Sequence, residues 1–291
     1  MDYNKKYQQY LTLFNNAYNK EIENFSINAP KTIKDSMVYA TCDGGKRVRP
    51  VLCFAVADAL GISFEEVEKF AIAIEFIHSY SLVHDDLPSM DNDDYRRGKL
   101  STHKKFGEAF GVLCGDALLN YAFEMCLDKP NFNHYDAQAL KVIAEYAGYT
   151  GMIGGQVLDL QNEKNPIIDE KVLYDIYINK TSKLLTAPLL VCSALCGGKY
   201  FEELKTFGYN LGIMFQITDD LLDEEGDLTA IGKTPHKDKE ADKFTSIKVF
   251  GLEGAKNKAK EHYQTCLNVL KTIPNTEFLS QFTDKIYLRK K

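Results

Sequence analysis

Apolar residues recur every three or four positions through most of the chain, and regular alternation of apolar and polar residues is nearly absent. The three-to-four spacing places apolar side chains on one face of an α-helix, whereas alternation would indicate a strand. Proline and glycine interrupt the pattern near residues 28–30, 61–63, 129–133, 163–166, 197–199, 224–238 and 274. Since no Gly/Ser-rich linker divides the chain, the pattern predicts an all-α protein with a single domain over residues 1–291.

Two long apolar helices are predicted to end in aspartates. Ser63 followed by Glu66 has the form of a capping box, in which the two side chains satisfy free amides at a helix start. The apolar pattern then continues to a pair of aspartates, so we expect a helix from about Phe64 to Asp85. A second apolar helix, at 207–223, also ends in aspartates.

Composition and charge restrict the function classes. Hydrophobic residues make up 45% and charged residues 26% of the chain, which is typical of a globular protein. The net charge of -6 repels nucleic acid and anionic membranes, so we expect no nucleic-acid partner. The longest uncharged run, 184–198, is shorter than the roughly 20 residues that span a bilayer and contains Pro188. It predicts a buried helix, and we expect no stable membrane insertion.

The cysteines and the first residues bear on location. Most of the seven cysteines lie in apolar runs, which is typical of reduced thiols in a protein core. The first ten residues contain no apolar stretch of the signal-peptide type. Both observations predict a cytoplasmic protein.

Two aspartate-rich motifs follow the two apolar helices. In the second motif, Asp219 and Asp223 are one turn apart on the same face of a helix. In the first, Asp85 and Asp91 are about 120° out of phase on a straight helix. Pro88 disfavours helix continuation, so we expect the chain to bend and return Asp91 toward Asp85. Each motif alone is also typical of a solvated helix end, but the pair favours Mg²⁺, which bridges carboxylates to substrate phosphates.

Basic residues form two clusters in this acidic chain. The segment Gly44-Gly45-Lys46-Arg47-Val48-Arg49-Pro50 combines glycines, which a ligand can approach closely, with three cations. It lacks the spacing of a Walker P-loop, so it does not indicate a nucleotide. Arg96 and Arg97 directly follow the first acidic motif. Such runs are often only solvated surface, but here they are suited to hold a diphosphate.

Seven segments occur in a fixed order along the chain: 44–50, 84–98, 115–119, 154–159, 180–181, 215–223 and 232–233. Their residues, such as His84-Asp85-Asp86 through Arg97-Gly98 and the Gly154-Gly155-Gln156 run, resemble those of the trans-prenyl diphosphate synthases, most closely the bacterial farnesyl diphosphate synthases. The resemblance covers about residues 37 to 254. It implies the isoprenoid synthase fold, a helical bundle around a deep central cavity, and a homodimer.

The resemblance also implies two diphosphate sites. The allylic diphosphate is expected to bind through Mg²⁺ to four aspartates, Asp85, Asp91, Asp219 and Asp223. Around its diphosphate and reacting carbon we expect Arg96 and four catalytic residues, Lys180, Thr181, Gln216 and Lys233. Isopentenyl diphosphate is expected to bind without metal at Lys46, Arg49, His78 and Arg97.

The implied reaction condenses isopentenyl diphosphate with dimethylallyl and geranyl diphosphate to give farnesyl diphosphate. Breaking the allylic C–O bond leaves a carbocation and a pyrophosphate, whose growing charge the cations of the site stabilise. The double bond of isopentenyl diphosphate then attacks, and the pyrophosphate is expected to take the last proton. His84 and His103 therefore receive structural or hydrogen-bonding roles.

Product length requires a wall, because each added isoprene buries five carbons, about 4 kcal/mol in favour of further growth. Tyr80 lies roughly 7.5 Å before Asp85 along the helix. In the resembled enzymes a bulky aromatic residue at this position limits the tail, and we assign chain length to Tyr80 with Ser81. This favours farnesyl product, with a geranyl or geranylgeranyl diphosphate synthase as the alternative and an ordinary core role for Tyr80 left open.

Two other functions are alternatives to a prenyl diphosphate synthase. A terpene cyclase also ionises an allylic diphosphate but needs no second cationic site such as Lys46, Arg49 and Arg97. A non-catalytic partner subunit does not need two intact aspartate motifs.

The chain departs from the family pattern at three places, none of which is a proposed ligand. Thr218 stands where glutamine is usual, Asp43 where a small residue is common, and Ser246-Ile247 where Tyr-Pro is usual.

Overall fold

The computed structural model describes residues 2–25, 29–42, 45–163, 169–225 and 244–289. Asp43, Gly44, Gly232 and Lys233 lie outside these residues, so the predicted catalytic role of Lys233 stays a prediction. The described helices are α1 (Tyr3–Glu23), α2 (Lys31–Thr41), α3 (Val48–Leu60), α4 (Phe64–Asp85), α5 (Thr102–Phe106), α6 (Glu108–Leu127), α7 (His134–Ala147), α8 (Met152–Asn162), α9 (Glu170–Ile176), the π-helix π1 (Tyr177–Ser182), α10 (Lys183–Leu195), α11 (Phe201–Glu225), α12 (Ser246–Leu270) and α13 (Glu277–Tyr287). The all-α prediction is confirmed, while the single-domain organisation stays a prediction.

The core is built around α3, α4 and α10. Every residue of α10 from 184 to 194 is buried, as its uncharged sequence predicted. This helix packs against α3, α4, α7 and α11, and α4 also packs against α6. A second hydrophobic cluster joins α9, π1, α11 and α12. The two clusters fix α4 and α11, the helices that carry the aspartate motifs.

Helix α4 has the predicted bounds, Phe64–Asp85, but not the predicted cap. Ser63 has the extended backbone of an N-cap residue, yet its hydroxyl makes no capping hydrogen bond. The capping-box prediction is therefore wrong. Glu65 and Glu66 lie in the first turn instead, where a negative charge interacts favourably with the helix dipole.

One wide turn, π1, connects α9 to α10 without a break in the helix. Its backbone runs close to two glycines of neighbouring helices. A Cβ atom at Gly155 of α8 would lie 2.1 Å from the backbone nitrogen of Lys180, and one at Gly212 of α11 would lie 2.4 Å from the Cα of Ser182. Only glycine permits this approach, so α8 and α11 hold π1 between them.

A two-stranded antiparallel hairpin, β1 (Tyr95–Arg96) and β2 (Lys99–Leu100), follows α4 and was not predicted. Its two-residue turn is Arg97-Gly98, with φ of 52° and 78°. Two positive φ angles are typical of a tight hairpin turn whose twist matches the strands. The hairpin therefore turns neighbouring arginines into different surroundings.

Helix α6 is the only helix in the described part of the chain that is long and apolar enough to cross a membrane. In its most apolar window, 39% of the residues are buried within the protein. The core helix of a soluble protein passes the same test, so this observation is weak evidence for a membrane span. Its exposed apolar side chains include Phe110, Val112, Leu113 and Leu127.

Candidate active site

The first aspartate motif forms the bend that its proline predicted. Helix α4 ends at Asp85, and the backbone N–H of Asp91 donates to the carbonyl of Asp85 at 2.8 Å. The N–H of Asp93 likewise donates to the carbonyl of Asp86 at 3.1 Å. These bonds return the chain across the end of the helix, so the predicted approach of Asp91 to Asp85 is confirmed.

The Asp85 carboxylate lies in a partly buried position that disfavours its charge. Burial raises its pKa from 3.8 to about 6, with Lys180 acting in the opposite direction and Asp91 adding to the increase. The side-chain amide of Gln156 donates to Asp85. Gln156 received no role from the sequence, although the 154–159 segment that contains it formed part of the resemblance. The site thus holds a carboxylate whose negative charge a cation would stabilise.

Arg96 lies beside this motif and is held by Asp86. Its Nε donates to Asp86 Oδ1 at 2.9 Å, and its Nη2 also contacts that carboxylate. Asp93 lies 3.7 Å away. The predicted role of Arg96 at the allylic diphosphate stays a prediction. In the structure Arg96 is already paired with Asp86, the aspartate of the first motif that is not among the predicted metal ligands.

Arg97 faces a different part of the molecule. A Cβ atom at Gly45 would lie 3.1 Å from Arg97 Nη2, so the guanidinium packs against the backbone of the glycine-rich segment. Arg96 is the last residue of β1 and Arg97 is the first residue of the hairpin turn, so the backbone changes direction between their side chains. The structure therefore places one arginine with the aspartates and the next with the segment predicted to hold isopentenyl diphosphate.

Three of the four residues predicted for isopentenyl diphosphate interact electrostatically. Burial and then the charges of Arg49 and Arg97 hold the pKa of His78 well below its ordinary value, so the imidazole is neutral. Burial lowers the pKa of Arg49 to about 10, and the Arg97 charge also acts to lower it. The Nε of Arg49 is buried without a hydrogen-bond partner. A cationic group with an unused donor is suited to bind an anion.

Lys46 is exposed, and its backbone is anchored to the first helix. The hydroxyl of Tyr7 on α1 donates to the Lys46 carbonyl at 2.5 Å. This leaves the Lys46 side chain at the surface end of the basic segment.

The second aspartate motif lies in the last turns of α11, as predicted, but its carboxylates differ in their exposure and in their partners. Asp219 is 40% exposed and forms an ion pair with Arg289 at 2.6 Å. The guanidinium of Arg289 also donates to the Phe215 carbonyl at 2.7 Å and lies 4.1 Å from the Phe215 ring. Nothing in the sequence motifs indicated Arg289, because it lies 70 residues further along the chain.

Asp220 is buried and has a structural role. It accepts hydrogen bonds from the hydroxyl of Tyr177 in π1 and from Gln216, the latter at 3.3 Å. The backbone N–H and the hydroxyl of Ser246 each donate to it at 2.7 Å. Ser246, one of the departures from the family pattern, thus supplies two donors that connect α12 to the motif.

The predicted catalytic residues of π1 already have partners within the protein. Lys180 Nζ lies 2.5 Å from Asp159 of α8. The hydroxyl of Thr181 donates to Gln216 at 3.2 Å. Asp159, like Gln156, comes from the 154–159 segment and received no role in the sequence analysis. Thr181 and Gln216 are therefore brought together, whereas Lys180 is paired with α8, and the roles of all three in the reaction stay predictions.

A divalent metal fits these residues by their donor chemistry. The predicted ligands are all carboxylates, the hard oxygen donors that Mg²⁺ prefers, and burial together with the neighbouring Asp91 raises the pKa of Asp85, so a bound cation would stabilise its charge. In the ranges that the structure describes, no three His, Cys, Asp or Glu side chains are close enough to hold an ion by themselves. Magnesium bound through one or two carboxylates and substrate phosphates does not require such a group.

Tyr80 and Ser81 lie one turn before Asp85 on α4. Tyr80 is 5% exposed, and its hydroxyl is buried without a hydrogen-bond partner. Burial raises its pKa to about 12. The hydroxyl of Ser81 donates to the carbonyl of His78 at 2.9 Å. A large buried ring at this position is compatible with both the predicted wall and the ordinary core role.

The two remaining histidines of the motifs have local partners. A ring nitrogen of His84 lies 3.0 Å from the Val112 carbonyl. A ring nitrogen of the buried His103 lies 3.0 Å from the Ser101 hydroxyl. Both contacts agree with the hydrogen-bonding roles expected from the sequence.

An acidic group around Asp85 and a basic group around Arg49 and Arg97, in an all-α protein, define a protein suited to bind diphosphates. The polyprenyl synthetase family model matches residues 30–278. The chain is 41% identical to the farnesyl diphosphate synthase of Haemophilus influenzae, covering 99% of both chains. It is 40% identical to geranylgeranyl pyrophosphate synthase 4 of Arabidopsis thaliana, covering 81% of this chain and 66% of that protein.

A solved structure from a similar protein has the same fold. The geranyltransferase from Legionella pneumophila superimposes with a TM-score of 0.87 at 30% identity, covering 99% of this chain and 97% of the other. The chain therefore belongs to the polyprenyl synthetase family, and the predicted resemblance and fold are confirmed. Members of this family generally use a divalent metal.

Proposed function

We propose that the protein is a Mg²⁺-dependent farnesyl diphosphate synthase, which condenses isopentenyl diphosphate with dimethylallyl and then geranyl diphosphate. The observation that carries this proposal is the hairpin that separates two neighbouring arginines. Arg96 lies with the aspartates and Arg97 with Gly45. An enzyme that joins two diphosphates needs two anion sites that differ in this way, and the farnesyl diphosphate synthase of Haemophilus influenzae matches the chain over its full length.

The aspartates would hold the metal, with Asp85 and Asp91 on one side and Asp219 and Asp223 on the other. When bound, Mg²⁺ would neutralise the charge that develops on the leaving pyrophosphate. Lys180 lies in π1 close to this group, where its ammonium can bind the same oxygens once it leaves Asp159. Cations fixed opposite a developing charge act without reorganisation during the reaction.

The basic group would orient the second substrate. The unused Nε of Arg49 and the guanidinium of Arg97 are donors for the diphosphate of isopentenyl diphosphate. The neutral His78 adds a hydrogen-bonding group without a further charge. Binding at this site would place the double bond toward the carbon that loses its pyrophosphate.

Tyr80 supports farnesyl diphosphate as the main product. Its ring is buried on the helix that leads to Asp85, where a growing tail would meet it. Geranylgeranyl diphosphate is the second candidate product, since the Arabidopsis thaliana relative bears that name at 40% identity.

The decisive experiment incubates the purified protein with Mg²⁺, isopentenyl diphosphate and either dimethylallyl or geranyl diphosphate, and identifies the products by mass. We expect farnesyl diphosphate in both cases and none when the metal is chelated. A terpene cyclase would convert the allylic substrate without consuming isopentenyl diphosphate. A non-catalytic subunit would give no product, and either result would contradict the proposal.

We also propose that the protein is a homodimer. Helix α6 packs one face on α4 and leaves Leu113 exposed by 52% and Val112 by 42%. Exposed apolar side chains on one helix are suited to pair with a second copy. Light scattering should give about twice the chain mass, and Leu113→Glu should reduce that value; a monomeric wild type would contradict the proposal.

We propose a cytoplasmic location on chemical grounds. All seven cysteines are present as free thiols in the structure, and five of them are buried. Reduced thiols are typical of the cytosol. Cell fractionation followed by detection of the protein is the test, and recovery in an extracytoplasmic fraction would contradict it.

A further inference from the structure

The middle cation of the basic segment does not face a ligand. The Nη1 of Arg47 donates to Glu75 at 2.7 Å, and its Nη2 donates to the Thr41 carbonyl at 3.2 Å. The side chains of Arg47 and Glu75 are only 7% and 4% exposed. The guanidinium also lies 4.6 Å from the ring centre of Tyr18 on α1. Arg47 is therefore part of the protein core, although it stands between two residues predicted to bind substrate.

The backbone of Arg47 has an unusual conformation that this contact holds. Its φ is 45° and its ψ is 42°, in the left-handed region, and it is the residue before the first turn of α3. Residues with a Cβ atom adopt this region only at a cost in energy. The adjoining Lys46 carbonyl is fixed from the other side by Tyr7. The chain direction between Gly45 and Arg49 thus depends on buried contacts with α1 and α4.

Glu75 also connects this pair to the substrate site. It lies one turn before His78 on α4, so the two side chains share a face of the helix. Its negative charge acts on Arg49 and on Arg97, where it opposes the lowering of both pKa values. Three guanidinium groups therefore share one carboxylate, and Arg47 makes the direct contact.

We propose that the buried Arg47–Glu75 ion pair positions the segment 45–50, and with it the guanidinium group of Arg49, for isopentenyl diphosphate. Arg47 and Glu75 are positioning residues and do not touch the substrate. This inference rests on the proposed function, because it names the residues that prepare one of its two substrate sites.

A positioning role and a purely electrostatic role of Glu75 predict opposite effects of Glu75→Gln on diphosphate binding. If Glu75 acted only as a counter-charge, Glu75→Gln would make the site more positive and bind a diphosphate more tightly. If it positions the segment, the same variant removes the carboxylate charge that holds the buried Arg47 guanidinium and weakens binding. We expect the KM for isopentenyl diphosphate to rise about tenfold, the effect of losing one charge-assisted hydrogen bond. The KM for geranyl diphosphate should change less than about twofold, since its predicted residues lie elsewhere.

A second variant separates positioning from folding. Arg47→Met combined with Glu75→Leu replaces both charges with apolar groups of similar volume, which often preserves stability when a buried pair is removed. We expect this double variant to unfold close to the wild-type temperature while its KM for isopentenyl diphosphate stays raised. Asp136→Asn is the matched control, because Asp136 also forms a buried pair, with Lys129, but lies outside the site. It should leave both KM values unchanged.

Calorimetric titration of isopentenyl diphosphate into the metal-free proteins gives a binding constant that does not require turnover. Weaker binding in both the single and the double variant supports the inference. Tighter binding in Glu75→Gln, or wild-type binding in a stable double variant, overturns it while the proposed function stands. Binding by a wild type that forms no product would refute the function alone, and a wild type that does not bind would overturn both.

Discussion

Asp85→Asn should make the metal-free protein more stable while removing its activity. The carboxylate is partly buried, close to the negative charges of Asp91 and Asp86, and its pKa is raised from 3.8 to about 6. A raised carboxyl pKa means that the folded protein disfavours the charged form. Asparagine has almost the same shape and carries no charge, so it removes this unfavourable contribution.

The size of the effect follows from the pKa difference. A shift of about two units at 1.36 kcal/mol per unit corresponds to about 3 kcal/mol at neutral pH. The lost attraction to Lys180 is already included in that difference, but the Gln156 hydrogen bond weakens when its acceptor becomes neutral. We therefore expect a net gain of about 1–3 kcal/mol in the free energy of unfolding at pH 7.5.

The sign of the pH dependence provides the critical check. Below about pH 3.8 Asp85 is protonated in both the folded and the unfolded chain, and the wild type suffers no penalty. The penalty develops between that value and the folded value of about 6, and it is complete above the folded value. The stability difference between variant and wild type should therefore grow from near zero at pH 4 to its full size at pH 7.5.

The assay is urea unfolding at several pH values in the presence of a chelator, together with product formation in Mg²⁺. Asp116→Asn is the matched control, since that carboxylate is 61% exposed and should change neither quantity. The catalytic rate of Asp85→Asn should fall at least about 100-fold, as when another charge-stabilising group is lost. A less stable variant at pH 7.5, or a gain that does not depend on pH, would refute the reasoning.

Three further changes have expected outcomes. Tyr80→Ala should lengthen the products measured by mass, and an unchanged product profile would remove Tyr80 as the wall. Gly155→Ala places a Cβ atom 2.1 Å from the backbone nitrogen of Lys180, so urea unfolding should show that the free energy of unfolding falls by about 1–3 kcal/mol. Wild-type stability would show that π1 can move aside. Arg289→Ala frees Asp219 from its ion pair, and calorimetry should show several-fold tighter Mg²⁺ binding, whereas weaker binding would show that Arg289 supports the metal site.

Features set by neighbouring residues were predictable from the sequence. The bounds of α4 follow from its apolar spacing, and the burial of α10 follows from its uncharged run. The bend that returns Asp91 to Asp85 follows from the restriction that Pro88 places on the backbone. In each case the physical cause lies within a few residues of its effect.

Features set by distant partners were not predictable. Arg47 and Arg49 belong to one cationic run, but Glu75 on α4 draws Arg47 into the core. The pairing of Asp219 with Arg289 joins residues 70 positions apart. Ser63 has the residue type of a capping box without making the bond. The turn at Arg97-Gly98 could have been predicted in part, because glycine in a polar segment is a common signal for a turn.

The π-helical turn π1 also changes the direction in which the side chains of the following helix, α10, point. A π-turn accommodates one residue more than an α-helical turn, and each residue of an α-helix corresponds to about 100° of rotation. The side chains of α10 are therefore rotated by about that angle relative to a helix that continued α9 without the extra residue. Deleting one residue between 177 and 182 would restore a regular helix, but it would also turn either the polar groups of π1 or the buried face of α10 away from their partners. A one-residue gap in this stretch is thus a far larger structural change than a substitution, although both alter a single position.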